Sequence, residues 1–135
     1  MEKKVTFSVK ALIINDNKFL ALRRNYPNPS VWELPGGHLE YGETAPEALI
    51  REIKEEVNYH VKPLRFVDTW DSYFPNRQIT GIIYLCQLNS DINDLRLSEE
   101  HGEYRWLSCD SKEYELLAPT FASRIIHWDW STLIK

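Results

Sequence analysis

Three glutamates near the middle of the chain have the spacing that metal-assisted phosphate chemistry requires. Glu52, Glu55 and Glu56 fall in a helical stretch and, at about 100° per residue, share one arc of the helix. Like charges held this closely repel each other when no cation is present. Because Mg²⁺ prefers carboxylate oxygens together with substrate phosphates, the cluster predicts a divalent-metal site. A solvated acidic face is the alternative, since charged residues are usually exposed.

A glycine turn precedes this helix. Gly36 and Gly37 can adopt backbone angles that are closed to other residues, so a carbonyl or a ligand can approach the turn closely. The helix has a clear start, because Thr44 and Glu47 have the spacing of a capping box. Its apolar face, which we expect to pack against the core, consists of Leu49, Ile50, Ile53 and Val57.

The stretch GGHLEYGETAPEALIREIKEEVNY, residues 36–59, resembles the characteristic box of the Nudix hydrolases. Gly37, five residues, Glu43, seven residues and then the run REIKEEV from Arg51 match the family pattern, a coincidence of about 10⁻⁸ per window by chance. The family has glycine where this chain has Asn58. Asparagine is the next most tolerant residue for the left-handed conformation that ends a helix, so we expect the helix to stop there with the metal site unaffected.

The resemblance implies roles for individual residues. The implied catalytic and metal-binding groups are the carboxylates of Glu52, Glu55 and Glu56, with the Gly36 carbonyl as a further ligand. The structural positions of the motif are Gly37, Glu43, Arg51 and Asn58, and we expect Arg51 and Glu43 to pair and hold the turn against the helix. Glu100, six residues before Trp106, resembles the family's additional loop carboxylate, which binds metal or acts as general base. A solvated loop glutamate is the alternative.

The resemblance also implies an activity. Nudix enzymes cleave a pyrophosphate bond in a nucleoside diphosphate linked to another group, so the expected cofactor is Mg²⁺, with Mn²⁺ as an alternative. Pro75 lies 16 residues after Tyr59, a spacing that resembles the ADP-ribose pyrophosphatases and favours ADP-ribose or a nucleotide sugar as substrate. One alternative is a nucleoside triphosphate diphosphatase that removes oxidised nucleotides such as 8-oxo-dGTP. A second is a non-catalytic nucleotide-binding Nudix module, against which the intact acidic cluster argues.

Candidate substrate contacts lie on both sides of the motif. Arg23 and Arg24 end the first predicted hairpin and could bind an anion bidentately, although arginines at a strand end are usually solvated. A polar and aromatic loop is predicted at residues 71–77. The aromatic side chains beside or within this loop that could stack a nucleobase are Trp70, Tyr73 and Phe74, with packing in the core as the alternative.

The elements that must position these residues alternate between strands and helices. Hydrophobic alternation and turn residues predict a hairpin over residues 5–22 and strands at 31–34, 61–70, 78–88 and 103–107. Pro119 opens a predicted C-terminal helix whose apolar residues are Phe121, Ile125, Ile126 and Trp128. This order predicts an α+β protein with helices covering a central sheet. The resemblance implies the Nudix-type α/β/α sandwich around a central mixed β-sheet.

Length, composition and charge limit the class of protein. The 135 residues, of which 43% are hydrophobic and 27% charged, fit a single domain over residues 1–135. A formal net charge of -4 argues against a nucleic-acid duplex as partner, which leaves a nucleotide-derived small molecule, with a homodimer as an open alternative. The chain has no run of 18 apolar residues and no signal-peptide cleavage site, so we expect no membrane partner and a cytoplasmic location.

Overall fold

The computed structural model describes residues 2–134. Short 3₁₀ turns lie at Ile92–Asp94 and Glu113–Leu116. The strands and α-helices of the described chain are β1 (Lys4–Asn15), β2 (Lys18–Arg24), β3 (Trp32–Glu33), β4 (Gly36–His38), α1 (Ala45–Val57), β5 (Val61–Phe74), β6 (Arg77–Leu88), β7 (His101–Ser108), α2 (Pro119–Ile125) and α3 (Trp130–Leu133).

The sheet is mixed and is organised around β1. Strand β1 runs parallel to β6 from Lys4 to Ile13 and antiparallel to β4, so that Lys10 lies opposite Gly36. The end of β1 forms the predicted hairpin with β2, which also pairs with β3 and β7. Strand β5 is antiparallel to β6 and lies at the other edge. The pairing of β1 with β4 therefore fixes the glycine turn against the centre of the sheet.

Two apolar cores lie on opposite faces of this sheet. Val9, Ala11 and Ile13 of β1 pack in the same cluster as the apolar residues of α1. Leu12, which points to the opposite face, packs with the cluster that includes Phe121 of α2. Successive residues of a strand point to opposite faces, so β1 contributes to both cores. The predicted α+β class and the α/β/α sandwich are confirmed.

Helix α1 begins and ends where predicted, but the residues on its buried face differ in part from the predicted ones. Thr44 and Glu47 form both hydrogen bonds of the capping box, and Asn58 ends the helix in the left-handed conformation with φ of 62°. Ile50, expected in the core, is 40% exposed, whereas Glu56 is only 6% exposed. The buried face of the helix is thus shifted toward the side that carries the glutamates, because the glycine turn packs against that side.

The predicted loop at residues 71–77 is wrong. Strand β5 continues to Phe74, which pairs with Arg77 of β6, and only Pro75 and Asn76 form the turn. The strand is held here by side chains, because Asp71 accepts hydrogen bonds from Thr80 Oγ1 at 2.8 Å and from Arg124 Nη2 at 3.0 Å. Polar residues that belong to a paired strand look the same in the sequence as polar residues of a loop.

The C-terminal segment forms two short helices instead of one. Helix α2 ends at Ile125, and Asp129 caps α3 by accepting a hydrogen bond from the Ser131 N–H at 3.1 Å. Phe121 and Ile125 are buried as expected, but Ile126 is 61% exposed because the helix has ended. Across residues 2–134, no helix has both the length and the apolar character needed to cross a membrane.

Candidate active site

A cavity of about 390 Å³ opens between α1, the glycine turn and the sheet. All of the predicted metal ligands line it, namely Gly36, Glu52, Glu55, Glu56 and Glu100. Of the predicted substrate contacts, Arg24, Trp70 and Phe74 also line the cavity, whereas Arg23 and Tyr73 do not. Arg23 instead contacts Glu103 on the neighbouring strand.

The glycine turn is fitted closely to its surroundings. Gly36 has φ of 142°, and a Cβ atom at this position would collide with the carbonyl oxygen of Val9. A Cβ atom on Gly37 would collide with the carboxylate of Glu52. Glycine is required at Gly36, because any side chain would push β4 off β1, whereas a side chain at Gly37 would displace the Glu52 carboxylate from the turn.

Glu56 is the most deeply buried of the helix carboxylates. Its Oε1 atom accepts a hydrogen bond from the Gly36 N–H at 2.8 Å. Burial raises the pKa of Glu56 to about 8, although the charge of Lys10 and the Gly36 N–H act in the opposite direction. Burial also raises the pKa of the half-buried Glu52. Without a cation, the site therefore holds a proton at neutral pH.

Arg51 joins the turn to the helix. Its guanidinium donates to both carboxylate oxygens of Glu43, at 2.7 and 3.0 Å, so the expected pair is present. The same guanidinium donates to the His38 carbonyl and to one oxygen each of Glu52 and Glu55, all at 3.1 Å. Arg51 thus also binds two of the predicted metal ligands directly, which the pairing with Glu43 did not lead us to expect.

A buried network of charged side chains, which was not predicted from the sequence, lines the cavity. The carboxylate of Glu33 accepts hydrogen bonds from Lys10 at 3.3 Å and Arg24 at 2.9 Å, and lies 2.9 Å from His101 Nε2. Burial alone would raise the pKa of Glu33, but the charge of Lys10 and the hydrogen bonds from His101 and Arg24 hold it well below its usual range. Arg24 is therefore bound to protein, and the sequence signal was Lys10, a charge inside an apolar strand.

Two buried polar atoms beside this network have no hydrogen-bond partner among the described residues. They are Trp70 Nε1 and His101 Nδ1, and both residues line the cavity. Trp70 is buried in the core cluster that includes Phe121, with Lys10 Nζ 5.7 Å from its ring centroid. Buried polar atoms without a partner are uncommon and lose free energy, and here both belong to residues that line the cavity.

The donor set fits a hard divalent cation, although it is not arranged as a ready-made cage. Carboxylate oxygens with one backbone carbonyl are the ligands that Mg²⁺ prefers. Within residues 2–134, however, no three acidic, histidine or cysteine side chains are already positioned so that they could hold a metal ion. The hydrogen bonds that Arg51 makes with Glu52 and Glu55, and that Gly36 makes with Glu56, account for this arrangement.

A mixed-sheet sandwich in which a glycine turn and an acidic helix line one cavity defines the Nudix class of architecture. The family model described as the NUDIX domain matches residues 4–128. The chain therefore belongs to the Nudix family. Nudix hydrolases generally use divalent metal ions, in agreement with the donor set of the cavity.

Three individual similarities accompany this match. The chain is 35% identical over 107 residues to the NAD-capped RNA hydrolase NudC of Haemophilus influenzae, covering 78% of this chain but 39% of that protein. It is 38% identical over 84 residues to the ADP-ribose pyrophosphatase of Methanocaldococcus jannaschii, covering 60% of this chain and 50% of that protein. The chain thus spans half or less of the length of these two curated relatives. The crystal structure of the MutT protein from Methanosarcina mazei superposes with a TM-score of 0.83 at 28% identity, covering 98% of each chain.

Proposed function

We propose that this chain is a divalent-metal-dependent pyrophosphohydrolase that cleaves the pyrophosphate bond of a nucleoside diphosphate linked to a second group. The observation that carries the proposal is the shared cavity, in which the carboxylates of α1 lie beside the glycine turn and Glu56 is bound to the Gly36 N–H. Membership of the Nudix family supports the reaction class.

The residues that would hold Mg²⁺, or Mn²⁺ in its place, are Glu52, Glu55, Glu56 and the Gly36 carbonyl, with Glu100 as a further ligand only if it does not act as the general base. When bound, the cation would screen the charge of the pyrophosphate and lower the pKa of the attacking water. Gly37 lets the Glu52 carboxylate lie against the turn, and Arg51 limits the movement of that carboxylate and its neighbour. These contacts keep the ligands within the small displacement that binding requires.

Glu100 is the proposed general base. It lies on the cavity wall in the turn before β7, and its backbone carbonyl accepts a hydrogen bond from the Asn25 N–H at 2.9 Å. Its side chain is exposed and makes no ion pair with any residue of the described chain. A carboxylate that is fixed at the backbone and free at the tip can accept the proton of a water molecule in the cavity.

The proposed substrate class is that of ADP-ribose and the nucleotide sugars. The named relatives include an ADP-ribose pyrophosphatase, an NAD-capped RNA hydrolase and a MutT protein, and these names do not agree on one substrate. The two sequence observations that favoured ADP-ribose are weakened, because Pro75 is accounted for as a hairpin-turn residue and Trp70 is buried in the core.

A substrate panel tests this function. Purified protein with Mg²⁺ is offered ADP-ribose, nucleotide sugars, diadenosine polyphosphates and normal and oxidised nucleoside triphosphates, and the products are separated to identify the bond that is cleaved. We expect a nucleoside monophosphate and a phosphorylated partner from a diphosphate derivative, with no turnover in EDTA. A triphosphate favoured tenfold in kcat/KM would replace this substrate class with the triphosphate alternative. Tight binding of ADP-ribose without turnover of any compound would favour the binding module.

A further inference from the structure

Arg77 lies at the cavity with its guanidinium group over an aromatic ring, an arrangement that can bind a ligand. Its guanidinium carbon lies 4.8 Å from the centroid of the Phe74 ring, and both residues line the cavity. A guanidinium stacked on an aromatic ring keeps its N–H groups in one plane, directed outward from the edge of the stack. Such an edge pairs with two neighbouring acceptor atoms of a planar group.

The other two cations of the cavity are already paired, but Arg77 is not. Lys10 and Arg24 both bind the carboxylate of Glu33. No carboxylate in residues 2–134 lies within ion-pair distance of Arg77. The Phe74 ring beside it is 45% exposed, and Tyr26, which also lines the cavity, is 62% exposed.

The register of β1 measures how far Arg77 is from the glycine turn. Arg77 pairs with Lys4, whereas His38 pairs with Ser8 and Gly36 pairs with Lys10. At about 3.3 Å per residue, the Arg77 backbone lies roughly 13 Å along the strand from His38 and roughly 20 Å from Gly36. Along β1, Arg77 therefore lies at the end of the cavity away from the carboxylates and the Gly36 carbonyl. This placement favours a contact with the base of a substrate whose pyrophosphate lies beside the carboxylates.

We propose that Arg77, stacked on Phe74, recognises the nucleobase of the substrate and selects bases with two adjacent acceptor atoms, as guanine and cytosine have, over adenine. This inference rests on the proposed function and narrows its substrate class to guanine or cytosine nucleotide sugars, which makes ADP-ribose a poorer substrate. Guanine presents O6 and N7 side by side, the pair to which arginine binds bidentately. Cytosine presents O2 and N3 in the same way. Adenine has its amino donor between N1 and N7, so one of the two bonds from Arg77 is lost.

The test keeps the phosphate chain and the sugar constant and varies only the base. The wild-type protein with Mg²⁺ is assayed on GDP-, CDP-, ADP- and UDP-glucose, and on the 7-deazaguanine analogue, in which a C–H replaces N7. We expect kcat/KM for the guanine or cytosine compound to exceed that for ADP-glucose by about 5- to 150-fold, the range of one bidentate base contact. If GDP-glucose is the better of the two, the 7-deaza analogue should lose most of that advantage.

Two substitutions of Arg77 test whether its guanidinium binds the nucleobase. Glutamine pairs with adenine through N6 and N7, so Arg77→Gln should lower the ratio of guanine or cytosine turnover to adenine turnover at least fivefold. Arg77→Lys, which keeps the charge but not the planar fork, should lower the ratio similarly. Arg96→Gln is the matched control, because Arg96 is exposed and outside the cavity lining. Retained turnover of ADP-glucose shows that the variants are folded.

The outcomes separate this inference from the proposed function. If no compound is hydrolysed by the wild-type protein, the proposed function fails. Turnover without a base preference, or with a preference for adenine, overturns the role of Arg77 while leaving the reaction class intact. An equal loss on all four compounds in Arg77→Gln, restored by Arg77→Lys, also overturns it, because the charge would then be acting on phosphate.

Discussion

The burial of Glu56 predicts how the stability of the metal-free protein depends on pH. The pKa of this carboxyl is raised from 4.5 to about 8, mainly because burial disfavours its charged form. A raised pKa in the folded state contributes stability that is fully present below the unfolded-state pKa and is lost as pH rises through the folded-state pKa. The window for Glu56 is therefore pH 4.5 to about 8.

The magnitude follows from the size of the shift. At 1.36 kcal/mol per pKa unit, the folded state at pH 7 is destabilised by about 3 kcal/mol relative to pH 4.5, because the unfolded chain has lost a proton that Glu56 retains. A domain of this size has a free energy of unfolding of about 5–15 kcal/mol. The loss of stability caused by this one carboxyl is thus a large fraction of the free energy of unfolding of the metal-free protein.

Glu56→Gln should remove this pH dependence. Glutamine has the shape of the protonated acid and keeps an oxygen that can accept the hydrogen bond from the Gly36 N–H. Urea unfolding in EDTA at pH 5, 6, 7 and 8 should show the variant more stable than wild type by about 1 kcal/mol at pH 5 and by about 3 kcal/mol at pH 7. Glu55→Gln is the matched control, because the Glu55 side chain is 60% exposed and should show no gain that grows with pH.

Parallel curves of unfolding free energy against pH for wild type and Glu56→Gln would refute the reasoning, since the proton would then not reside on Glu56. The metal provides a second check on the same variant. Mg²⁺ binds to the ionised carboxylates of the folded state and should stabilise the wild type by mass action. The same concentration should stabilise Glu56→Gln much less, so the order of stability at pH 7 should reverse when EDTA is replaced by excess Mg²⁺.

Three further predictions concern single carboxylates. Glu56→Gln should lower kcat on the best substrate by about two to three orders of magnitude, the effect of losing one electrostatic stabiliser; near-normal steady-state rates in Mg²⁺ would contradict the ligand assignment. Glu100→Gln should lower kcat more than it changes KM, with Glu99→Gln unchanged as the control, and equal small effects in both variants would return Glu100 to the solvated alternative. Glu33→Gln should lower the free energy of unfolding, measured in urea, by about 3–5 kcal/mol, because it leaves Lys10 buried without its partner. The control Glu103→Gln, which removes a more exposed ion pair, should lower it by less than about 1 kcal/mol. A similar small change in both variants would refute the role of the buried network.

Local signals explain why helix α1 was predicted almost completely. The capping box of Thr44 and Glu47, the left-handed Asn58 and the Arg51–Glu43 pair all act within 15 residues of each other. Residues this close in sequence are positioned by the helix itself, so spacing alone determines their geometry. The same holds for the five predicted metal ligands only in part, because Glu100 reaches the cavity through the tertiary fold.

The buried network around Glu33 could not be predicted in the same way. Lys10 is 23 residues from Glu33 and His101 is 68 residues away, so their contacts depend on how the strands pair. Strand pairing also explains why residues 71–77 do not form the predicted loop. Arg77 pairs with Phe74 in the sheet and therefore lies at the cavity. Periodicity and turn residues describe one segment at a time, and they carry no information about which strand lies beside which.

The contacts of Arg51 offset part of the negative charge of the metal-free site. A cation that binds Glu52 and Glu55 must compete with a guanidinium that already donates to one oxygen of each. Glu43 holds Arg51 through two further bonds, so the guanidinium can give up the metal ligands without losing its attachment to the turn. If Glu52 and Glu55 hold the metal ion as proposed, Arg51 would be an internal, exchangeable counter-ion, and the free energy of metal binding would be reduced by the free energy of releasing these carboxylates from this arginine.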